Sequence, residues 1–143
     1  MKFKNCLNKF VKTTVQPKTK DELKKIIEDT IKEQGNDCDL NFIDTSLIKD
    51  MSAMFADSNF NGDISKWNVS SVRDMSNMFY ASNFNGDISK WDVSNVRDMV
   101  NMFYDSEFNG DISKWDVSKV KNMDYMFKGS ALEGNEPDWY LDR

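Results

Sequence analysis

Apolar residues in this chain recur with a period of 24. Residues 60–83 read FNGDISKWNVSSVRDMSNMFYASN, residues 84–107 read FNGDISKWDVSNVRDMVNMFYDSE, and residues 108–131 read FNGDISKWDVSKVKNMDYMFKGSA. The first two agree at 19 of 24 positions and the second and third at 16 of 24, which makes the array a tandem repeat. A degenerate unit precedes them at 36–59, where Leu40, Ile48, Met51, Met54 and Phe55 sit one period ahead of repeat counterparts. A truncated unit follows at 132–143 with Leu132, Gly134 and Trp139.

Each unit carries two apolar signatures. Met75, Met78 and Phe79, like their equivalents, lie at i, i+3 and i+4, the spacing of one face of a short helix or 3₁₀ turn. Ile64, Trp67 and Val69 include a Trp-x-Val alternation that suits a short strand, entered through a turn at Asn61-Gly62-Asp63. One unit cannot bury its own Trp, Val, Met and Phe, whereas a stack of units can. The pattern therefore predicts an α/β repeat solenoid, a right-handed coil with one short parallel strand and one short helix or 3₁₀ turn per unit. The strand positions would line the concave side, and the Met and Phe residues would form the core of the convex side.

The first 35 residues depart from the repeat. Thr19 and Glu22 make a capping-box spacing, Leu23, Ile26, Ile27 and Ile31 give a helical apolar stripe, and Gly35 is a stop signal. A helix over about 20–34 is expected to cover the open core of the first unit. Residues 1–20 carry Lys2, Lys4, Lys9, Lys12, Lys18 and Lys20 and no acid. Phe3, Leu7, Phe10 and Val11 in that segment allow a further amphipathic helix or an extended addition to the cap.

The 143 residues suit one domain, and 19 basic against 24 acidic residues leave a net charge of −5, which does not favour bulk phosphate binding. Nucleic acid is not expected as a partner, because the lysine-rich start lacks base-stacking aromatics. With no histidine, triads and histidine-bearing zinc sites are excluded. Cys6 and Cys38 cannot make a four-cysteine zinc site, and they are read as reduced although they could form one disulfide. No stretch approaches the roughly 20 apolar residues of a membrane span. No signal peptide or lipobox is readable, so the chain is cytoplasmic by default.

The string FNGDISKWDVSNV followed by Met-x-x-Met-Phe resembles the BspA-like leucine-rich repeats, in the subtype first described in mycoplasma surface lipoproteins. PKTKDELKKII and DLNFIDTSLIKDMSAMF look like the usual entry to such arrays. The resemblance covers about residues 36–131. It implies a bacterial leucine-rich-repeat-type solenoid with a parallel strand in each coil. It also implies non-enzymatic binding, often adhesion, and a cell-surface location.

Repetition sets identical side chains in rows. Trp67, Trp91, Trp115 and Trp139 are read as core, as are the paired methionines. Asp63, Asp87 and Asp111 form a carboxylate row that either takes hydrogen bonds from turn amides or, alternatively, holds calcium between coils. Arg73 and Arg97 beside Asp74 and Asp98 suggest a charge lattice. The outward row predicted on the strand face comprises Ser65, Lys66, Asn68, Ser89, Lys90, Asp92, Ser113, Lys114 and Asp116. This row is the expected surface for a protein or surface-polymer partner. The expected molecule is a monomeric binding module with no catalytic residues, cofactor or resident metal. The alternatives are a calcium-ordered structural repeat and an intracellular protein-interaction scaffold.

Overall fold

The computed structural model describes residues 13–143; Cys6 and the lysine-rich segment through Lys12 lie outside them. The first described element is helix α1, Lys20–Gln34. Thr19 is extended (φ −131°, ψ 161°) and its hydroxyl accepts from the Glu22 N–H at 3.1 Å. The Glu22 carboxylate reaches back to the Lys18 N–H at 2.7 Å, one residue beyond the cap. Asp21 and Glu22 in the first turn and Lys32 in the last complement the helix dipole. Gly35 ends the helix at φ 93°, its N–H donating to the Ile31 carbonyl at 2.7 Å. The helix lays Leu23 and Ile27 into the core, each contributing about 1.5–3 kcal/mol by burial.

The repeats do not form an α/β solenoid with a strand and a helix in each unit. Among the described residues the only other helix is the four-residue α2, Asp138–Leu141. β-Type pairing among the described residues is confined to five isolated parallel bridges, including Asp50–Asp74, Asp74–Asp98 and Asp98–Asn122. The units are runs of turns.

Two local causes account for this. The segment predicted as a strand is folded back by Asx turns. Asp63 Oδ1 accepts from the Ser65 N–H and hydroxyl at 2.9 and 2.7 Å, and Asn68 Oδ1 accepts from those of Ser70 at 3.0 and 2.6 Å. The Trp67 N–H then donates to Ile64 and the Val72 N–H to Val69, where an extended strand would send them to a neighbour. In the segment predicted as helical, Ala53, Asn77, Asn101 and Tyr125 take φ values of 56–57°. Four residues further on, Asp57, Ala81 and Asp105 are left-handed too, at 51–57°. A left-handed residue every fourth position forbids an α-helix, at a local cost of about 1–2 kcal/mol each.

That conformation aims every second N–H along the stack. Met75, Asn77, Phe79 and Ala81 donate to the carbonyls of Asp98, Val100, Met102 and Tyr104 at 2.7–2.9 Å. Met51 through Asp57 and Met99 through Asp105 repeat the pattern with their own successors. The apolar residues of each coil thereby fall in register. Phe79, Phe84, Met75 and Met78 are fully buried, and Trp91 is 4% exposed. Gly86 is required by packing, because a Cβ there would stand 2.7 Å from the Phe84 ring.

Side-chain spacing between the coils at 60–83 and 84–107 shows that the stack fans open. Ring centroids are 5.2 Å apart for Tyr80–Tyr104 and 5.6 Å for Phe79–Phe103. They widen to 6.1 Å for Phe60–Phe84 and 6.4 Å for Trp67–Trp91. All four ring pairs are within 9° of parallel, so these distances measure the local step from coil to coil. The close side carries the backbone ladder and the wide side carries the tryptophans. The curvature is thus the reverse of the expected one: the Met-Phe segment is concave and the Trp segment convex.

Candidate functional site

The tryptophan row is structural. Trp67, Trp91, Trp115 and Trp139 donate from Nε1 to the carbonyls of Leu40, Ile64, Ile88 and Ile112 at 2.9–3.1 Å. Each indole therefore ties its coil to the one before while stacking on its neighbours. The asparagines work similarly: Asn61 and Asn85 Oδ1 accept from the N–H of Asn85 and Asn109, each at 2.8 Å.

The row expected on a strand face sits instead on two consecutive turns of the wide side. Its members divide by task. The hydroxyls of Ser65, Ser89 and Ser113 donate to Asp63, Asp87 and Asp111 at 2.7 Å. Oδ1 of Asn68, Asp92 and Asp116 accepts from the N–H of Ser70, Ser94 and Ser118 at 3.0 Å. These groups are committed to chain reversal. Lys66, Lys90 and Lys114 are exposed, and no carboxylate lies within 4.0 Å of their ammonium groups among the described residues. They form a comb of cations, one per coil, beside indoles that step by 6.4 Å.

The electrostatics follow the turns. The serine hydroxyl, then the serine N–H, hold the carboxyls of Asp87 and Asp111 below the ordinary aspartate range. Asp92 and Asp116 are lowered by Ser94 and Ser118 in the same way. The Ser65 hydroxyl is the largest influence on Asp63, outweighing a raising contribution from partial burial. Hydrogen bonding thus offsets the mutual repulsion of the stacked carboxylates. No group of three metal-ligating acid, cysteine or histidine side chains is found among the described residues.

Two features were not legible as sites. Lys49, Arg73, Arg97 and Lys121 form a second exposed basic row. Its backbone N–H groups at Arg73, Arg97 and Lys121 each donate to the preceding coil at 2.8 Å. The expected lattice with Asp74 and Asp98 does not form. Asp74 is turned onto Ser76 instead, and the described ion pairs are Lys20–Asp50 at 3.7 Å and Lys25–Asp29 at 2.9 Å. The other feature is a row of amides at the last ladder segment, 123–129, for which the repeat pattern alone gave no sign. Cys38 is buried. No helix among the described residues is long and apolar enough to cross a membrane.

No curated protein and no solved structure matches the chain. A family model does, over residues 22–139, a span that runs from the first turn of α1 to the last tryptophan of the row. With most of its length matched, the chain belongs to the DUF285 family, described as Mycoplasma protein of unknown function.

Proposed function

We propose that this protein is a non-enzymatic binding module that engages a repetitive polar partner, a surface polymer or protein, through the Lys66–Lys90–Lys114 comb. One observation carries the reading: the lysines are exposed and outside ion-pair distance of any described carboxylate, while the serines and aspartates beside them bond to one another in turns. A regularly spaced row of cations on a rigid frame suits a partner with regularly spaced anions, since each contact then adds without reordering the chain. The resemblance of the FNGDIS-W-DVS repeats to BspA-like proteins supports an adhesive role at a cell surface.

The test compares the wild type with the Lys66→Glu/Lys90→Glu/Lys114→Glu variant on immobilised heparin and polygalacturonate, two regularly charged polysaccharides. Retention by the wild type and a loss of about tenfold or more in the variant, with an unchanged melting transition, is the expected result. Equal retention of the two proteins removes the comb from the binding surface, and no retention of either removes anionic polymers as the partner.

A further inference from the structure

The octapeptide FNGDISKW occurs three times, at 60–67, 84–91 and 108–115, and sets three Asn-Gly pairs at one repeat position. Asparagine followed by glycine rearranges more readily than other pairs, because no Cβ shields the glycine nitrogen as it approaches the asparagine side-chain amide. Asn61, Asn85 and Asn109 are all exposed, and the N–H groups of Gly62, Gly86 and Gly110 have no acceptor among the described residues. Local sequence, access of water and the attacking nitrogen are therefore alike at the three pairs. The hold of the fold on them differs. Asn61 Oδ1 accepts from the Asn85 N–H and Asn85 Oδ1 from the Asn109 N–H, each at 2.8 Å. One period after Asn109 the chain has left the path of the repeat: the Glu133 N–H donates to the Ser130 carbonyl at 3.1 Å, and the Asn109 side chain has no partner among the described residues. The glycines grade in the same order. A Cβ at Gly62 would collide with the Cys38 carbonyl oxygen, and one at Gly86 would stand 3.2 Å from that of Gly62. At Gly110 the three nearest atoms all belong to the ring of Phe108, so no backbone of the preceding coil presses on that peptide.

We infer that Asn109–Gly110 is a site of spontaneous covalent modification, converting to aspartyl and isoaspartyl forms in the folded protein ahead of Asn61–Gly62 and Asn85–Gly86. Hydroxide takes the proton of the Gly110 amide, whose nitrogen attacks Cγ of Asn109. The new N–Cγ bond forms as the Cγ–Nδ2 bond breaks, and Nδ2 leaves as ammonia after taking a proton from water, which restores the hydroxide. Water then opens the resulting five-membered imide at either carbonyl, giving a free carboxylate on an ordinary or a rearranged main chain. No oxidant or enzyme is needed. At Asn61 and Asn85 the side-chain carbonyl must first be pulled from the amide of the next coil, whereas Asn109 turns freely toward its attacker. The rearranged product carries one extra methylene in the main chain directly after Phe108, a fully buried ring stacked 4.6 Å from Phe103. The last regular coil is thus where ageing loosens the stack. This site requires nothing of the lysine comb, so the two readings stand or fall independently.

The test is to age the whole wild-type chain in mildly alkaline buffer, folded and in guanidinium chloride, and to follow the three pairs by mass spectrometry. Trypsin places them in separate peptides, 50–66, 74–90 and 98–114, and fragmentation within each locates the converted residue. Enzymatic methylation of isoaspartate counts the rearranged product. In the folded chain Asn109 should convert about tenfold faster than Asn61 or Asn85, the ratio expected from one restraining hydrogen bond. In denaturant the three rates should converge, since the octapeptides are identical. Equal rates in the folded chain, or a lead by Asn61 or Asn85, overturn the inference. So does an Asn109 that stays intact when folded while all three convert in denaturant. A lead by Asn109 that persists in denaturant also overturns it, because the cause is then the flanking sequence and not the missing partner.

Discussion

The concave and convex sides of one coil solve the same problem with different materials. On the concave side, alternate residues, two of the four left-handed, present four backbone donors to the following coil, and the coils stand 5.2–5.6 Å apart. On the convex side the chain folds back on Asx turns, and coils are joined through indole N–H groups and stacked rings at 6.4 Å. Backbone bonds hold distance tightly and depend little on side-chain identity. Ring stacking holds a wider step and demands one residue type. This explains why outward positions of the ladder vary from unit to unit (Ser76, Val100 and Asp124; Tyr80, Tyr104 and Lys128) while tryptophan recurs without change.

The comparison can be broken most severely at the centre of the convex side. Trp91→Ala should cost about 3–5 kcal/mol in urea unfolding, because it opens a cavity between two indoles. Trp91→Phe should cost less, about 1–3 kcal/mol, leaving the Ile64 carbonyl without its donor. Equal costs for the two variants would show that the hydrogen bond, which both lose, and not the packing joins the coils.

On the concave side, Asn101 sits at φ 56°, so a β-branched residue should cost more stability than glycine. Asn101→Val should destabilise by about 1–2 kcal/mol, and Asn101→Gly should stay within about 1 kcal/mol of wild type. Equal melting temperatures for the two variants would mean that the left-handed conformation is not needed by the ladder.

The smallest expected effect separates the two sides by acidity. Asp63, Asp87, Asp92, Asp111 and Asp116 are held below the ordinary aspartate range in the folded chain. Their stabilisation is present above the unfolded aspartate pKa of about 3.9 and is lost as pH falls through the lower folded values. With no histidine in the chain, stability should be level between about pH 5 and 7 and fall below about 4. Ser89→Ala should soften that fall slightly, by removing one donor to Asp87. A thermal-melting series across this range checks both the level region and the fall.

Much of this architecture was legible because repetition exposes register. A 24-residue period sets Trp on Trp and Phe on Phe whatever the backbone does between them, and the Thr19, Glu22 and Gly35 signals bracket α1. The backbone itself was misread. A Met-x-x-Met-Phe spacing serves a helix and a left-handed ladder equally well, since both bury the first, fourth and fifth residues. The warning lay in Asn77 and Asn101, a residue type that tolerates positive φ, at one repeat position. Asp63-x-Ser65, Asn68-x-Ser70 and Asp74-x-Ser76 likewise signal three Asx turns per unit, which leave no room for a strand. Of the candidate site, the lysine comb was readable as a row. The commitment of its serines to the turns required coordinates.

The unequal step from coil to coil converts repeat number into geometry. Each unit adds the same small wedge, so further identical units would lengthen an arc without changing its radius. Reach and fit are then governed separately: the count of units sets how much of a rounded partner is spanned, and the packing within one unit sets how tightly curved that partner must be.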